Sequence, residues 1–376
     1  SPATFGDALR RLSATATYLY QDGARYWYST QPTVTKLADD RAEQLGREPD
    51  KVVDEINKRL WKDLQKKGEF CRVHPMPRTG QEVQDDMEAA LVVLGVDQAF
   101  TKDADNAAGA AARAILESRG NSPRIYRNSL VFLAADKARV QDLDGAVRKF
   151  LAWESVLADG DKLNLDPQQR RQAESQRNTA NGKVTALIPE TYQWLLVPNQ
   201  KAPTDPVEMQ VMKLAVGVEP IAERVSRKLK AEECLYVGMA ATRLRMELDR
   251  VPLWRGNDVS VKMLAEDFAK YVYLPRLKEP AVLVRAIQDG LDQLTWAQDT
   301  FGFAESWDDA DKRYRGLRSS GGKALSETNL FGLLVKGPVA AAQIEFDTPG
   351  PDGTGGRPRS GMFSSAQLTS GANGGK

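Results

Sequence analysis

At 376 residues the chain is long for one hydrophobic core, so two or three domains are expected. Its 52 Lys and Arg against 51 Asp and Glu leave a formal charge of +1, which excludes whole-surface attraction to nucleic acid or anionic membrane and leaves only local patches. One histidine excludes multi-histidine metal centres, two distant cysteines point to unbridged buried thiols in a reducing cytoplasm, and no apolar run approaches bilayer-spanning length.

In residues 5–12, Phe5, Ala8, Leu9 and Leu12 recur at helical spacing. The aromatic runs 17–20 and 25–28 flank Asp22-Gly23, a hairpin signal because Gly accepts the positive φ of a tight turn. Helix followed by hairpin suggests the last helix and wing of a winged helix. Helices are predicted over 34–45 and 50–67. In the second, Val53, Ile56, Leu60 and Leu64 form the apolar stripe, and the mixed-sign remainder reads as a solvated face.

From residue 70 strands and helices alternate. Strands are predicted over 70–73 and 90–94, then an Ala-rich helix over 107–119. The run 130–135, LVFLAA, reads as a strand buried on both faces. Asp136 follows where a helix N-cap belongs, and Val140, Leu143, Val147, Phe150, Leu151 and Leu157 mark the helix over 140–157. Asp166-Pro167 opens another helix, whose polar body predicts a bridge between elements rather than packing along its length. Residues 192–197 read as the last buried strand. Alternation of this kind predicts an α/β fold with a mostly parallel sheet and flanking helices.

Residues 199–206 read as a linker. Helices follow over 219–229, 240–248, 261–273 and 280–294, then a hairpin pairing 301–304 with 313–317 around 306–311, then a strand over 330–335. These predict a second winged-helix-like module, so that such helical modules stand on either side of the α/β core. The organisation expected is a module remnant with a connecting helix over 1–48, an α/β domain over 49–200, a helical winged-helix-like domain over 201–346, and a disordered Gly/Ser-rich tail over 347–376. The chain opens Ser-Pro-Ala-Thr without Met and reads as a piece of a longer protein.

No GxxxxGK[ST] loop is present; GLRSSGGK at 316–323 has its second Gly out of register and Ala324 where a Mg²⁺-binding hydroxyl belongs. No GxGxxG follows a strand. His74, in CRVHP, reads as structural. Asp136 resembles a Walker-B acid, but without a phosphate loop its capping role is preferred. Asp308, Asp309 and Asp311 lack the Gly and distal Glu of an EF-hand loop. No residue is assigned a catalytic or metal-binding role. The one local charge feature is Lys312, Arg313, Arg315 and Arg318 around Tyr314 (with Lys323 beyond), a nucleic-acid-binding candidate weighed against pairing with the acids just before it. The competing reading is a nuclease- or hydrolase-like α/β enzyme using Asp136 and Asp97 from separate loops.

Three stretches carry a resemblance: YLYQDGARYWYSTQPTV at 18–34, YRNSLVFLAAD at 126–136 with LAW at 151–153, and FAKYVYLPRL at 268–277. Together they resemble the C-terminal half of the large bacterial AAA+-like ATPases of the domain-of-unknown-function 499 family. Those proteins are often encoded near methyltransferases and helicases in phage-defence islands. The resemblance, spanning roughly residues 5–334, implies that the ATP and Mg²⁺ site lies upstream and that this part carries no cofactor. It implies docking of DNA or of defence-system partner proteins, no membrane association, and the option of oligomers. The missing phosphate loop bars carrying any ATPase residue onto these positions.

Overall fold

A computed structural model describes residues 2–16, 19–22, 25–28, 33–103, 106–292, 301–328 and 330–348. The chain divides into two compact units. The first holds residues 1–85, 90–124 and 130–232; the second holds 86–89, 125–129 and 233–376.

Unit 1 begins with α1 (Pro2–Thr15) and the antiparallel pair β1 (Leu19–Asp22) and β2 (Arg25–Tyr28), in which Asp22 stands opposite Arg25. The turn residues Gly23 and Ala24 lie outside the described residues, as does the expected tail beyond residue 348. Then come α2 (Val34–Leu45), α3 (Pro49–Asp63), β3 (Arg72–Pro75), β4 (Ala90–Val93), α4 (Ala107–Glu117), the small hairpin β5 (Ser118–Arg119) and β6 (Ser122–Pro123), and β7 (Leu130–Ala135). They are followed by α5 (Lys137–Ala158), α6 (Pro167–Thr191), β8 (Tyr192–Asn199), β9 (Glu208–Lys213) and α7 (Ile221–Ala231). The five-stranded sheet runs β3-β4-β7-β8-β9. Every residue of β7 is buried, as its unbroken apolar run requires.

The sheet is mixed, not mostly parallel. β3, β4 and β7 are parallel, whereas β8 is antiparallel to β7 and β9 to β8. The reason lies in the crossover. A single helix would return the chain to the start of β7, but α5 carries it away and α6 carries it back. β8 therefore starts beside the end of β7. The same geometry corrects the reading of α6, which packs along α5 and buries Ala173, Val184 and Ile188. Asp166 caps it in a capping box with Gln169, and Pro167 occupies its first turn. Beyond the buried strand expected over 192–197, a further and mostly exposed strand, β9, follows the expected linker and forms the sheet edge.

Unit 2 contains α8 (Ala241–Arg250), β10 (Asp258–Ser260), α9 (Val261–Lys270), α10 (Pro280–Asp292), β11 (Phe301–Ala304), β12 (Ser306–Asp308), β13 (Arg313–Arg315), β14 (Leu333–Lys336) and α11 (Gly337–Asp347). The helices bury Leu244, Leu264, Phe268, Val282 and Ile287 in one core with Phe301 and Leu334. The expected pairing of 301–304 with 313–317 is corrected. β11 pairs with β14, in the three-stranded antiparallel order β10-β14-β11, while β13 pairs with β12 in a separate hairpin. An isolated bridge joins Phe303 to Arg318, just beyond the segment predicted to pair with β11. Cys71 and Cys234 are half-buried, not buried, and form no disulfide. Among the described residues no helix is long and apolar enough to cross a membrane.

Candidate functional site

The β12–β13 hairpin gathers the predicted basic residues. Trp307 and Tyr314 face each other across it, edge to face at 4.7 Å. Its tip is built on Asp308, whose Oδ1 accepts from the N–H groups of Ala310 (2.9 Å) and Asp311 (3.2 Å). Lys312 closes the turn at φ +51°, an unusual conformation for a residue with a Cβ.

Three of the four cations are held by carboxylates. Arg315 donates to Asp308 Oδ2 through Nε at 2.9 Å and Nη2 at 2.7 Å, and also pairs with Asp311. Lys312 pairs with Asp309 at 3.3 Å, and Arg313 with Asp347 at 2.6 Å. Arg318 lies 5.3 Å from the Phe303 ring centroid and donates to the carbonyl of Gly321 at 3.0 Å. The Arg315 hydrogen bond, reinforced by the two turn N–H groups, holds the Asp308 carboxyl below its ordinary value. The hydrogen bond from Trp307, then Lys312, does the same for Asp309. The patch is thus close to neutral, with three of its four cations fixed in ion pairs.

Beside it the segment 321–327 is pinned across α10. Gly321 N donates to Leu291 O at 2.9 Å, Leu325 N donates to Gln288 Oε1 at 2.9 Å, and Glu327 pairs with Arg285 at 3.1 Å. Arg285 also pairs with Glu279 at 3.2 Å, while Asp289 and Asp292 stay exposed on the same helix. No local sequence signal announced this strap, because its three anchors lie some 30 to 42 residues away.

At the end of β7, Asp136 caps α5 by accepting from Ala138 N at 3.0 Å. Its other oxygen accepts from Gln193 Nε2 at 2.9 Å and Trp194 Nε1 at 3.0 Å. The carboxylate is therefore occupied by three donors of its own fold. Asp97 lies exposed in the turn after β4, and burial, followed by the Asp97 charge, raises the pKa of the fully buried Tyr192 hydroxyl. Among the described residues no three His, Cys, Asp or Glu side chains converge as metal ligands. His74, on β3, has its Nε2 buried without a hydrogen-bond partner among the described residues; burial, then Arg124 and Arg72, lowers its pKa to about 4.

Sequence reasoning missed the groove beside β9. It measures about 430 Å³ and is lined by Phe100, Lys102, Arg113, Leu196, Met209 and Val211. Its walls come from segments about 100 residues apart, which no local pattern joins. No family model, curated protein or solved structure matches the chain.

Proposed function

We propose that this chain is a non-catalytic docking portion of an AAA+-like defence ATPase of the domain-of-unknown-function 499 type, and that unit 2 is a winged-helix module that holds a partner protein. In this reading ATP and Mg²⁺ are bound by the motor that the rest of the parent supplies. The order of elements in unit 2 supports the module: a helix, a strand, two helices, then β11 and β14 with the β12–β13 hairpin inserted between them, and β14 central in the sheet β10-β14-β11. In that scheme α10 is the helix that would enter a DNA major groove.

The observation that carries the protein-binding version is the strap over α10. A helix crossed by 321–327, with Asp289 and Asp292 exposed and Arg285 doubly paired, is a poor fit to a polyanionic groove. The wing points the same way, since Lys312, Arg313 and Arg315 would have to exchange carboxylates for phosphates. Exposed apolar side chains on this unit, Met246, Met263, Phe331 and Phe346, suit a protein surface better.

The test has two arms. A labelled duplex titrated at about 50 and 200 mM salt should show no steep salt-dependent binding. A photo-crosslinking residue at Asp289 in the parent protein, irradiated in cells, should capture protein rather than DNA. Cross-links to DNA, with tight low-salt duplex binding, would replace this reading with the DNA-binding one.

A further inference from the structure

The sheet of unit 1 ends at β9, which among the described residues has β8 as its one strand neighbour. We propose that this edge and the groove beside it bind an extended peptide of a partner protein, bearing acidic and aliphatic side chains, which adds as a further strand. The site lies within unit 1 and does not depend on the winged-helix reading of unit 2.

The first argument is the phase of the ladder. Leu214 N donates to Gln193 O at 2.7 Å, so those two residues form a hydrogen-bonded pair. Antiparallel pairing alternates, and the register is regular from Glu208 to Lys213. Glu208, Gln210 and Met212 therefore turn their main-chain groups toward β8. Met209, Val211 and Lys213 turn theirs outward. β9 carries no Pro and no bulge, the usual protections of an exposed edge.

The second argument is what flanks that edge. Met209 and Val211, with Phe100 and Leu196, give the groove an apolar floor, and Val211 is 43% exposed. Lys102 and Arg113 line it without a carboxylate partner among the described residues. Lys213 reaches over the Trp194 ring at 5.6 Å on the same side. Asp103 is the one acid among the lining residues. Alternate side chains of an added strand fall on this groove. Aliphatic ones cover Met209, Val211 and Leu196, and acidic ones meet the three cations. Main-chain hydrogen bonds supply affinity and the groove supplies selection.

The test uses the full chain and a fluorescein-labelled heptapeptide, Glu-Thr-Val-Thr-Val-Thr-Glu, against the same peptide with Lys for Glu, read by anisotropy. The Glu peptide should bind saturably, and the Lys peptide about tenfold more weakly. Val211→Pro removes an outward N–H without touching the ladder to β8, and should weaken binding about tenfold. Arg113→Glu, on α4, should weaken it by about fivefold and serves if the proline variant misfolds. Sedimentation should show that the edge is not used by a second copy. Equal binding of both peptides, unchanged binding by both variants, no saturable binding up to about 1 mM, or a dimer that Val211→Pro dissociates would overturn the proposal.

Discussion

The indole N–H of Trp194 donates to Oδ2 of Asp136 at 3.0 Å and ties the end of β7 to its antiparallel neighbour. Gln193 donates to the same oxygen at 2.9 Å, and Asp136 Oδ1 caps α5. One carboxylate thus fixes where the strand stops, where the helix starts and how β8 enters the sheet. Asp136→Ala removes the cap and leaves two donors without their acceptor, one of them on the 1%-exposed Gln193. The expected cost is about 3–4 kcal/mol, and about 2 kcal/mol for Asp136→Asn, which keeps one acceptor oxygen. Guanidinium unfolding followed by circular dichroism measures both. A cost below about 1 kcal/mol for Asp136→Ala would show that the carboxylate is not a structural node.

Much of this was legible because it is local. The run before Asp136, the cap itself and the Asp166-Pro167 helix start each fall within a few residues, where sterics and orphan N–H groups act. Strand direction was not legible, because it depends on whether one helix or two fill the crossover. The stripe of Ala173, Val184 and Ile188 on α6 is too narrow to stand out in so polar a helix. The partner of β11 was misread because β12 and β13 intervene before β14. In the β12–β13 hairpin the same rule holds. Arg315 with Asp308 and Asp311 follows from close spacing, whereas Arg313 with Asp347 spans 34 residues.

His74 gives the fold a pH dependence. Its imidazole sits at about 4 when folded, chiefly through burial, against about 6.5 in an unfolded chain. The unfolded state therefore takes up the proton first. The stability of unit 1 should be constant above about pH 6.5, fall as the pH drops toward 4, and level off below. Discounted for its partial exposure, the loss by pH 5 is about 1–2 kcal/mol. His74→Gln should flatten the difference between melting curves taken at pH 7 and pH 5. An unchanged difference would assign the acid sensitivity to other groups.

In unit 2, Asn128 is the polar anchor. Its Nδ2 donates to the carbonyls of Phe268 at 2.8 Å and Leu274 at 3.0 Å. Its own carbonyl accepts from Arg276 Nε at 2.5 Å, and Arg276 Nη1 reaches Cys234 O at 3.0 Å. Burial lowers the Arg276 pKa to about 10, so the cation persists at neutral pH. Asn128→Ala strands two buried carbonyls and should cost about 2–3 kcal/mol. Arg276→Met should cost at least as much, and because Arg276 donates to the main-chain oxygen of Asn128, which Asn128→Ala keeps, the two costs should nearly add. A double variant that costs well under the sum in denaturant unfolding would show that the two residues act as one unit.

The last expectation is a gain of function. If local acids are what keep the β12–β13 hairpin from phosphates, removing them should create a DNA-binding surface. Asp308 builds the turn and should be left alone. Asp309→Asn with Asp311→Asn frees Lys312 and releases one partner of Arg315. Exposed ion pairs contribute little, so the double variant should lose under about 1 kcal/mol of stability. Duplex binding at low salt should appear, with a log–log salt slope of about −2 for two new phosphate contacts. The wild-type chain under the same conditions supplies the baseline. If the double variant binds no better, the ion pairs are not what withholds the hairpin from DNA, and the strap over α10 remains to be removed instead.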